Sequence, residues 1–89
     1  MSKRSEILKM ADGLISRDRH ETHGDALSTH KRIAEFWSTY LQTPIAPHQV
    51  ATMMELMKIA RRTYDPKNPE NYLDAIGYAA IGYEIADEE

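Results

Sequence analysis

A basic pair and an isolated carboxylate are the residues of this 89-residue chain whose types and spacing most favour chemistry. Lys58 and Arg61 are three residues apart, so they share a face of any helix that contains both. Asp74 lies inside a long apolar run, where a buried carboxylate without a partner is strongly unfavourable. If the two segments pack as antiparallel helices, Asp74 reaches Lys58 or Arg61. This predicts either a pocket in which the two cations hold a phosphate and Asp74 orients the bound group, or a structural ion pair that fixes the helix register.

Two rings and a polar loop extend the predicted ligand-binding set. Tyr78 lies one helical turn after the isolated carboxylate, and Trp37 lies on an earlier helical segment. Either ring is able to stack on a nucleobase, although rings of this kind are more often part of the core. His30 falls on the same stripe as Trp37, so it is predicted either at the edge of the core or in a pocket beside that ring. His23 and Gly24, at the end of a polar loop, complete the set.

Magnesium-dependent hydrolysis is the catalytic scheme that suits carboxylates on helices, because several of them must converge to hold a hard cation. The candidate carboxylates are Glu35, Glu55, Asp74 and Glu84. The chain has no cysteine, no Gly-x-Ser-x-Gly elbow and no glycine-rich phosphate loop, which argues against a nucleophile-based enzyme. His20 and His23 match no closed zinc motif, so we predict no metal site apart from magnesium in the hydrolase case.

The composition predicts one small globular domain over residues 1–89. Hydrophobic residues make up 42% and charged residues 28%, which excludes a disordered or collagen-like chain. No segment approaches the ~18 apolar residues of a membrane span. The charged start and the lack of cysteine lead us to expect a cytoplasmic protein without a membrane partner. The net charge of −3, with an acidic tail over 87–89, argues against a nucleic acid partner.

Helical spacing of apolar residues predicts an all-α, four-helix bundle-like domain. The predicted helices run from residue 2 or 5 to about 17, over 26–41, over 47–63, and from 69–71 to about 86, with an exposed loop over about 16–25. No run alternates with period two, so no strand is expected. The third and fourth helices are predicted to form an antiparallel hairpin because their connection is short.

Two apolar patterns guide the expected packing. The third helix carries Val50, Met53, Met54, Met57 and Ala60 as its apolar run, and the second carries Leu27, Ala34, Trp37 and Leu41. The fourth helix is apolar on almost every side, and a helix of this kind is buried. So short a chain has little material to surround it, which predicts a homo-oligomer through helices three and four. Small residues at 75, 79, 82 and 86 would allow close approach, and the alternative is a well-covered central helix.

Four runs of sequence carry a resemblance to a known family. They read Lys-Arg-Ile-Ala-Glu-Phe-Trp at 31–37, Pro-His-Gln-Val-Ala-Thr-Met-Met at 47–54, Met-Lys-Ile-Ala-Arg at 57–61 and Asp-Ala-Ile-Gly-Tyr-Ala at 74–79. From Gly24 to Tyr78 the chain resembles a family of short phage and prophage proteins catalogued as a domain of unknown function. His23 stands where the family pattern has Tyr, and His30 where it usually has Asn.

This family is distantly similar to phage nucleotide-modification domains and to all-α nucleotide pyrophosphohydrolases of the MazG type. Those enzymes place a Glu-x-x-Glu pair and a Glu-x-x-Asp pair around magnesium. The present chain has no Glu-x-x-Glu, and Asn71 stands three residues before Asp74 where a Glu is required. The resemblance therefore implies a helical scaffold that handles nucleotides more than it implies hydrolysis.

Three functions follow from these observations. The leading hypothesis is a small phage or prophage accessory protein that binds a phosphorylated, nucleotide-like ligand and so sequesters a host defence signal, in the host-cell cytoplasm. One alternative is a MazG-like pyrophosphohydrolase with Glu35, Glu55 and Asp74 on magnesium. The other is a helical interaction module that binds a host protein, since methionine side chains adapt to varied partners. We lean against an enzyme because the metal-binding set is incomplete.

Overall fold

The computed structural model describes residues 2–15 and 25–89. These residues form four α-helices and no strand: α1 spans Lys3–Gly13, α2 Ala26–Leu41, α3 Pro47–Tyr64 and α4 Pro69–Glu88. The all-α prediction is confirmed, and the predicted bounds of α2 match the observed ones. The loop predicted over 16–25 lies outside the described residues except for Asp25, and so does the predicted end of the first helix.

Helices α1, α2 and α4 each begin where a neighbouring side chain accepts from a backbone N–H of the first turn. The Ser2 hydroxyl accepts from the backbone N–H of Ser5 (3.2 Å), and an Asp25 carboxylate oxygen accepts from Ser28 (3.1 Å). The side-chain oxygen of Asn68 accepts from Glu70 (3.0 Å). Helices α3 and α4 also begin with proline, which has no N–H to satisfy. The local sequence therefore determines where these helices begin.

The turn between α2 and α3 is short and held by its own polar groups. Gln42 takes the left-handed conformation (φ 54°) that ends many helices. The Ser38 hydroxyl accepts from the backbone N–H of Ile45 (2.8 Å) and donates to its carbonyl (3.3 Å). This pair of bonds folds the chain back, so that α2 packs on α3.

Helices α3 and α4 pack most extensively and run antiparallel, as the sequence predicted. Two close approaches fix their distance and that of α1. A Cβ added to Gly82 would lie 3.2 Å from the Cβ of Ala51 on α3, and one added to Gly77 would lie 3.1 Å from the Cγ2 of Ile15 after α1. Helix α4 thus lies between α1 and α3, and it supplies much of the core. The buried apolar residues are Ala11, Ala34, Val50, Ala51, Leu73, Ala75, Tyr78, Ile81 and Ile85.

Helix α4 is expected from the sequence to need a second copy, and the chain itself covers part of it. Its apolar side is covered by α1 and α3 within the chain, which matches the alternative of a central helix. The predicted small-residue stripe is divided: Ala75 is buried and Gly82 faces Ala51, whereas Ala79 and Ala86 are exposed. Oligomerisation through helices three and four stays a prediction.

Among the described residues, no helix is both long enough and apolar enough to cross a membrane.

Candidate functional site

Lys58 and Asp74 form an ion pair across the α3–α4 interface. The Lys58 Nζ lies 3.0 Å from Asp74 Oδ2, and the two side chains are only 14% and 27% exposed. Antiparallel packing brings them together because Lys58 lies in the second half of α3 and Asp74 in the first half of α4. Because both charged groups are largely withdrawn from water, each needs the other to offset its loss of hydration. This geometry is that of a structural ion pair, and it already engages the Lys58 charge that a phosphate would need.

Arg61 does not join this contact, so the predicted two-cation pocket is not assembled around the carboxylate. Of the two predicted cations, Lys58 alone lies within ion-pair distance of Asp74, and Arg61 is exposed. The neighbouring Arg62 turns toward α4 instead, with Cζ 4.8 Å from the centre of the Tyr72 ring. Three-residue spacing placed Lys58 and Arg61 on one side of the helix, yet they differ by about 60° around its axis.

The predicted stacking rings lie in different surroundings. Tyr78 is 8% exposed and belongs to the core, so its ring offers no face to a base; this corrects its predicted stacking role in favour of the core interpretation. Trp37 is half-buried on α2. The remaining members of the predicted set, His23 and Gly24, lie outside the described residues.

His30 is buried (6% exposed), and one of its ring nitrogens has no partner. Its Nδ1 donates to the carbonyl oxygen of Ala26 (2.8 Å), since a carbonyl only accepts. In the neutral ring Nε2 is then an acceptor, and it is buried without a hydrogen bond. The structure therefore places His30 at the edge of the core, as one of the two interpretations predicted.

The carboxylates proposed for magnesium do not converge. Among the described residues, no group of three or more His, Cys, Asp or Glu side chains is able to hold a metal ion. Glu35 and Glu84 are exposed on α2 and α4, Glu55 is half-buried on α3, and Asp74 is engaged by Lys58. The metal-binding set of the hydrolase alternative is thus not brought together by these helices.

An open groove of ≈ 420 Å³ lies between α2 and the start of α3. Lys31, Glu35 and Thr39 line one side, and Ile45 and Pro47 the other. Among the residues predicted to form a site, Glu35 lines this groove. Its one cation and one anion are one turn apart on α2, a spacing at which they attract each other. The groove thus presents one exposed charge of each sign, both from α2.

A feature that sequence reasoning missed is the side of α3 that faces away from the other helices. We define the outer face of α3 as Gln49, Thr52, Met53, Leu56, Ala60, Thr63 and Tyr64, all of them exposed. At 100° per residue, the first six of these fall within an arc of about 100°. Leu56 is 57% exposed and Tyr64 93%. None of the four charged residues of α3 belongs to this face.

The sequence contains the residues of this face, but their pattern led to a wrong assignment of buried and exposed sides. The predicted apolar run of the third helix combined residues from two sides. Val50 is buried and Met54 and Met57 are half-buried, whereas Met53 and Ala60 are exposed. Sorting the charged residues by angle around the helix separates these two sides. Likewise, Leu41 of the predicted stripe on the second helix is exposed.

The N-terminus of α3 is capped by a residue from the far end of α4. The N-cap residue Ala46 has no side-chain acceptor, and its own N–H donates to Gln49 Oε1 (2.8 Å). The Glu89 carboxylate accepts from the backbone N–H of His48 (3.1 Å) and from its Nδ1 (2.6 Å). Burial acts to raise the pKa of the Glu89 carboxyl, but the hydrogen bonds and charge of His48 together lower it below its usual range. A carboxylate there also suits the positive end of the helix dipole.

The fold and the site together define the class of this protein. The described residues form a small all-α domain whose third helix is ion-paired to the fourth and has no charged residue on the outer face defined above. The chain belongs to the family described as "Domain of unknown function (DUF6378)", whose model matches residues 6–86.

Two phage proteins are similar to this chain. The Gene 55 protein of Mycobacterium phage L5 is 37% identical over 76 residues, which is 84% of this chain and 49% of the relative. The Gene 55 protein of Mycobacterium phage D29 is 35% identical over 82 residues, 92% of this chain and 54% of the relative. The chain thus spans about half the length of the curated relatives it matches. No solved structure matches it. None of these matches is to a MazG-type enzyme, so that distant similarity stays a prediction.

Proposed function

We propose that this chain is a phage accessory protein that acts as a helical interaction module and binds protein through the outer face of α3. One observation carries the proposal: this face exposes Met53, Leu56 and Tyr64 and contains no charged residue. Exposed large apolar side chains that cluster on one uncharged face are typical of a protein interaction site. The partner surface must itself be apolar and uncharged, because a charge facing this surface would lose water without gaining a partner.

The hypothesis of a phosphorylated ligand has less support from the geometry. A phosphate at Lys58 would have to displace the carboxylate of Asp74, which lies 3.0 Å away. Arg61 is exposed and is not in ion-pair contact with Asp74. Sequestration of a nucleotide-like defence signal and magnesium-dependent hydrolysis therefore stay predictions.

A photo-crosslinking experiment tests the proposed function. A photoreactive amino acid replaces Leu56 on the outer face of α3 and, in a matched control, Leu8 on α1. The two leucines are equally exposed (57%), so differences in yield report the surface and not the accessibility. We expect a protein adduct of defined mass from position 56 and none from position 8 during phage infection. Equal yields, or no adduct at position 56, would contradict the proposal.

A further inference from the structure

We propose that the partner of the outer face of α3 is the outer face of α3 in a second copy of this chain. The two helices would cross antiparallel about a twofold axis near Leu56, the middle of α3. This inference rests on the proposed function and names the partner of the same face. Two features of the described residues support a second copy: the absence of charge on the face, and the distribution of charge at the two ends of the α3–α4 hairpin.

The uncharged surface fits self-association. In a twofold dimer the same patch meets itself, so any charge near the axis faces its own copy. Like charges in contact cost several kcal/mol, which makes most exposed helix faces unsuitable. The outer face of α3 avoids this cost, because Glu55, Lys58, Arg61 and Arg62 all lie elsewhere around the helix.

The ends of the hairpin carry opposite charge. The end at which α4 terminates has four exposed acidic residues, Glu84, Asp87, Glu88 and Glu89, of which the last is hydrogen-bonded to His48. The end at the α3–α4 turn has exposed Arg61 and Lys67. Asp65 and Glu70 offset part of the charge at the turn, but together with Arg62 it keeps a net positive charge.

Antiparallel pairing of two copies brings the turn end of each hairpin toward the acidic end of the other. A parallel arrangement would instead place acidic end beside acidic end. Charge complementarity therefore favours a second copy as the partner and an antiparallel orientation of the two α3 helices. It also predicts that the dimer weakens as salt screens the end-to-end attraction.

The size of the surface sets the expected affinity. From Gln49 to Tyr64 the outer face extends about 22 Å along the helix. One helix pair of this length lies at the low end of specific interfaces, so the ring of Tyr64, which is 93% exposed, is expected to contribute. We therefore expect a dissociation constant in roughly the micromolar range.

The absence of cysteine from the chain allows a direct test with purified protein. A Leu56→Cys variant places one thiol next to the proposed axis, and Leu8→Cys places one at an equally exposed control position. With oxidised glutathione present, we expect Leu56→Cys to form a disulfide-linked dimer and Leu8→Cys to remain largely monomeric.

Sedimentation equilibrium of the wild-type protein gives the second readout. Its mass should rise with concentration from 10.2 kDa toward twice that value. Leu56→Glu should raise the dissociation constant at least about a hundredfold, because two carboxylates would face each other at the axis. Leu8→Glu should leave it unchanged, and circular dichroism checks that both variants fold.

Two results together would rule out dimerisation through the outer face of α3. They are a constant mass of 10.2 kDa up to about 1 mM protein and no disulfide-linked dimer from Leu56→Cys. In that case, an adduct to a different protein from position 56 during infection would keep the proposed function while removing this partner. If position 56 yields no adduct either, both proposals are wrong.

Discussion

The inner and outer sides of α3 use charge in opposite ways. On the inner side, Lys58 pairs with Asp74 and Arg62 lies over Tyr72. The outer side has exposed Met53 and Leu56 and no charged residue. An ordinary surface helix carries its charges on the exposed side, whereas α3 buries Val50 and Ala51 beside the paired Lys58 and has no charge on its outer face. The difference teaches that Lys58 serves the contact with α4, while the outer face of α3 carries no charge that would oppose an apolar partner.

The largest effect is expected in the core that α3 and α4 share, for example at Ile85 of α4. Ile85 is 0% exposed, whereas Leu56 is 57% exposed. We expect Ile85→Ala to lower the free energy of unfolding by about 2–5 kcal/mol, because it leaves a cavity. Leu56→Ala should change it by about 0.5 kcal/mol or less in dilute, monomeric protein. Urea unfolding of both variants measures the contrast, and similar losses would show that the outer face of α3 is part of the monomer core.

The next effect concerns the ion pair. Asp74→Ala leaves the Lys58 ammonium, 14% exposed, without its partner. We expect a loss of about 1–3 kcal/mol, less than for a fully buried pair. The double variant Lys58→Met with Asp74→Leu should recover most of it, since apolar side chains replace both charges. A double-mutant cycle with the two single variants measures the coupling, and a coupling near zero would show that the pair does not stabilise the register.

A smaller effect is expected at His30 on α2, because its buried Nε2 has no hydrogen-bond partner. His30→Leu removes the buried Nε2 that has no partner, at the loss of the bond to Ala26. We expect unfolding stability to stay within about 1 kcal/mol of wild type, because the two changes offset each other. Thermal unfolding measures this, with His30→Ala as the control that adds a cavity. A large loss for the leucine variant would mean that Nε2 has a partner in solution.

The smallest effect concerns the contact between the ends of α3 and α4. His48 lowers the pKa of Glu89, so the folded state holds the proton less tightly than the unfolded chain does. The stabilisation is therefore present above the ordinary pKa of 4.5 and is lost as pH falls through the lower folded value. NMR titration of the Glu89 carboxyl should give a midpoint below 4.5 in wild type and a higher one in a His48→Ala variant, which keeps only the backbone hydrogen bond. Equal midpoints would show that the contact does not form.

Much of the fold could be predicted because its signals are local. Ser2 and the prolines at 47 and 69 mark helix starts through their own side chains or rings. The cap of α3 could not be predicted, because Glu89 is 41 residues from His48 along the chain. The same limit applies to Gly82, whose close approach to Ala51 depends on the packing of two helices.

The candidate site was predictable only in part. The partnership of Lys58 with Asp74 followed from a carboxylate in an apolar run and a cation on the preceding helix. The exclusion of Arg61 did not follow, because three-residue spacing allows both cations the same side until a partner helix selects one angle. The burial of Tyr78 likewise depends on its position in α4, between α1 and α3.

The sequence by itself determined that this protein consists of helices, where most of them begin and end, and which family it belongs to. Capping groups, prolines and apolar spacing act over a few residues, so the chain specifies them without its tertiary contacts. Only the tertiary structure decided which apolar side of α3 is covered. Val50 and Leu56 are equally apolar in the sequence, and it is the placement of α2 and α4 that buries one and leaves the other exposed.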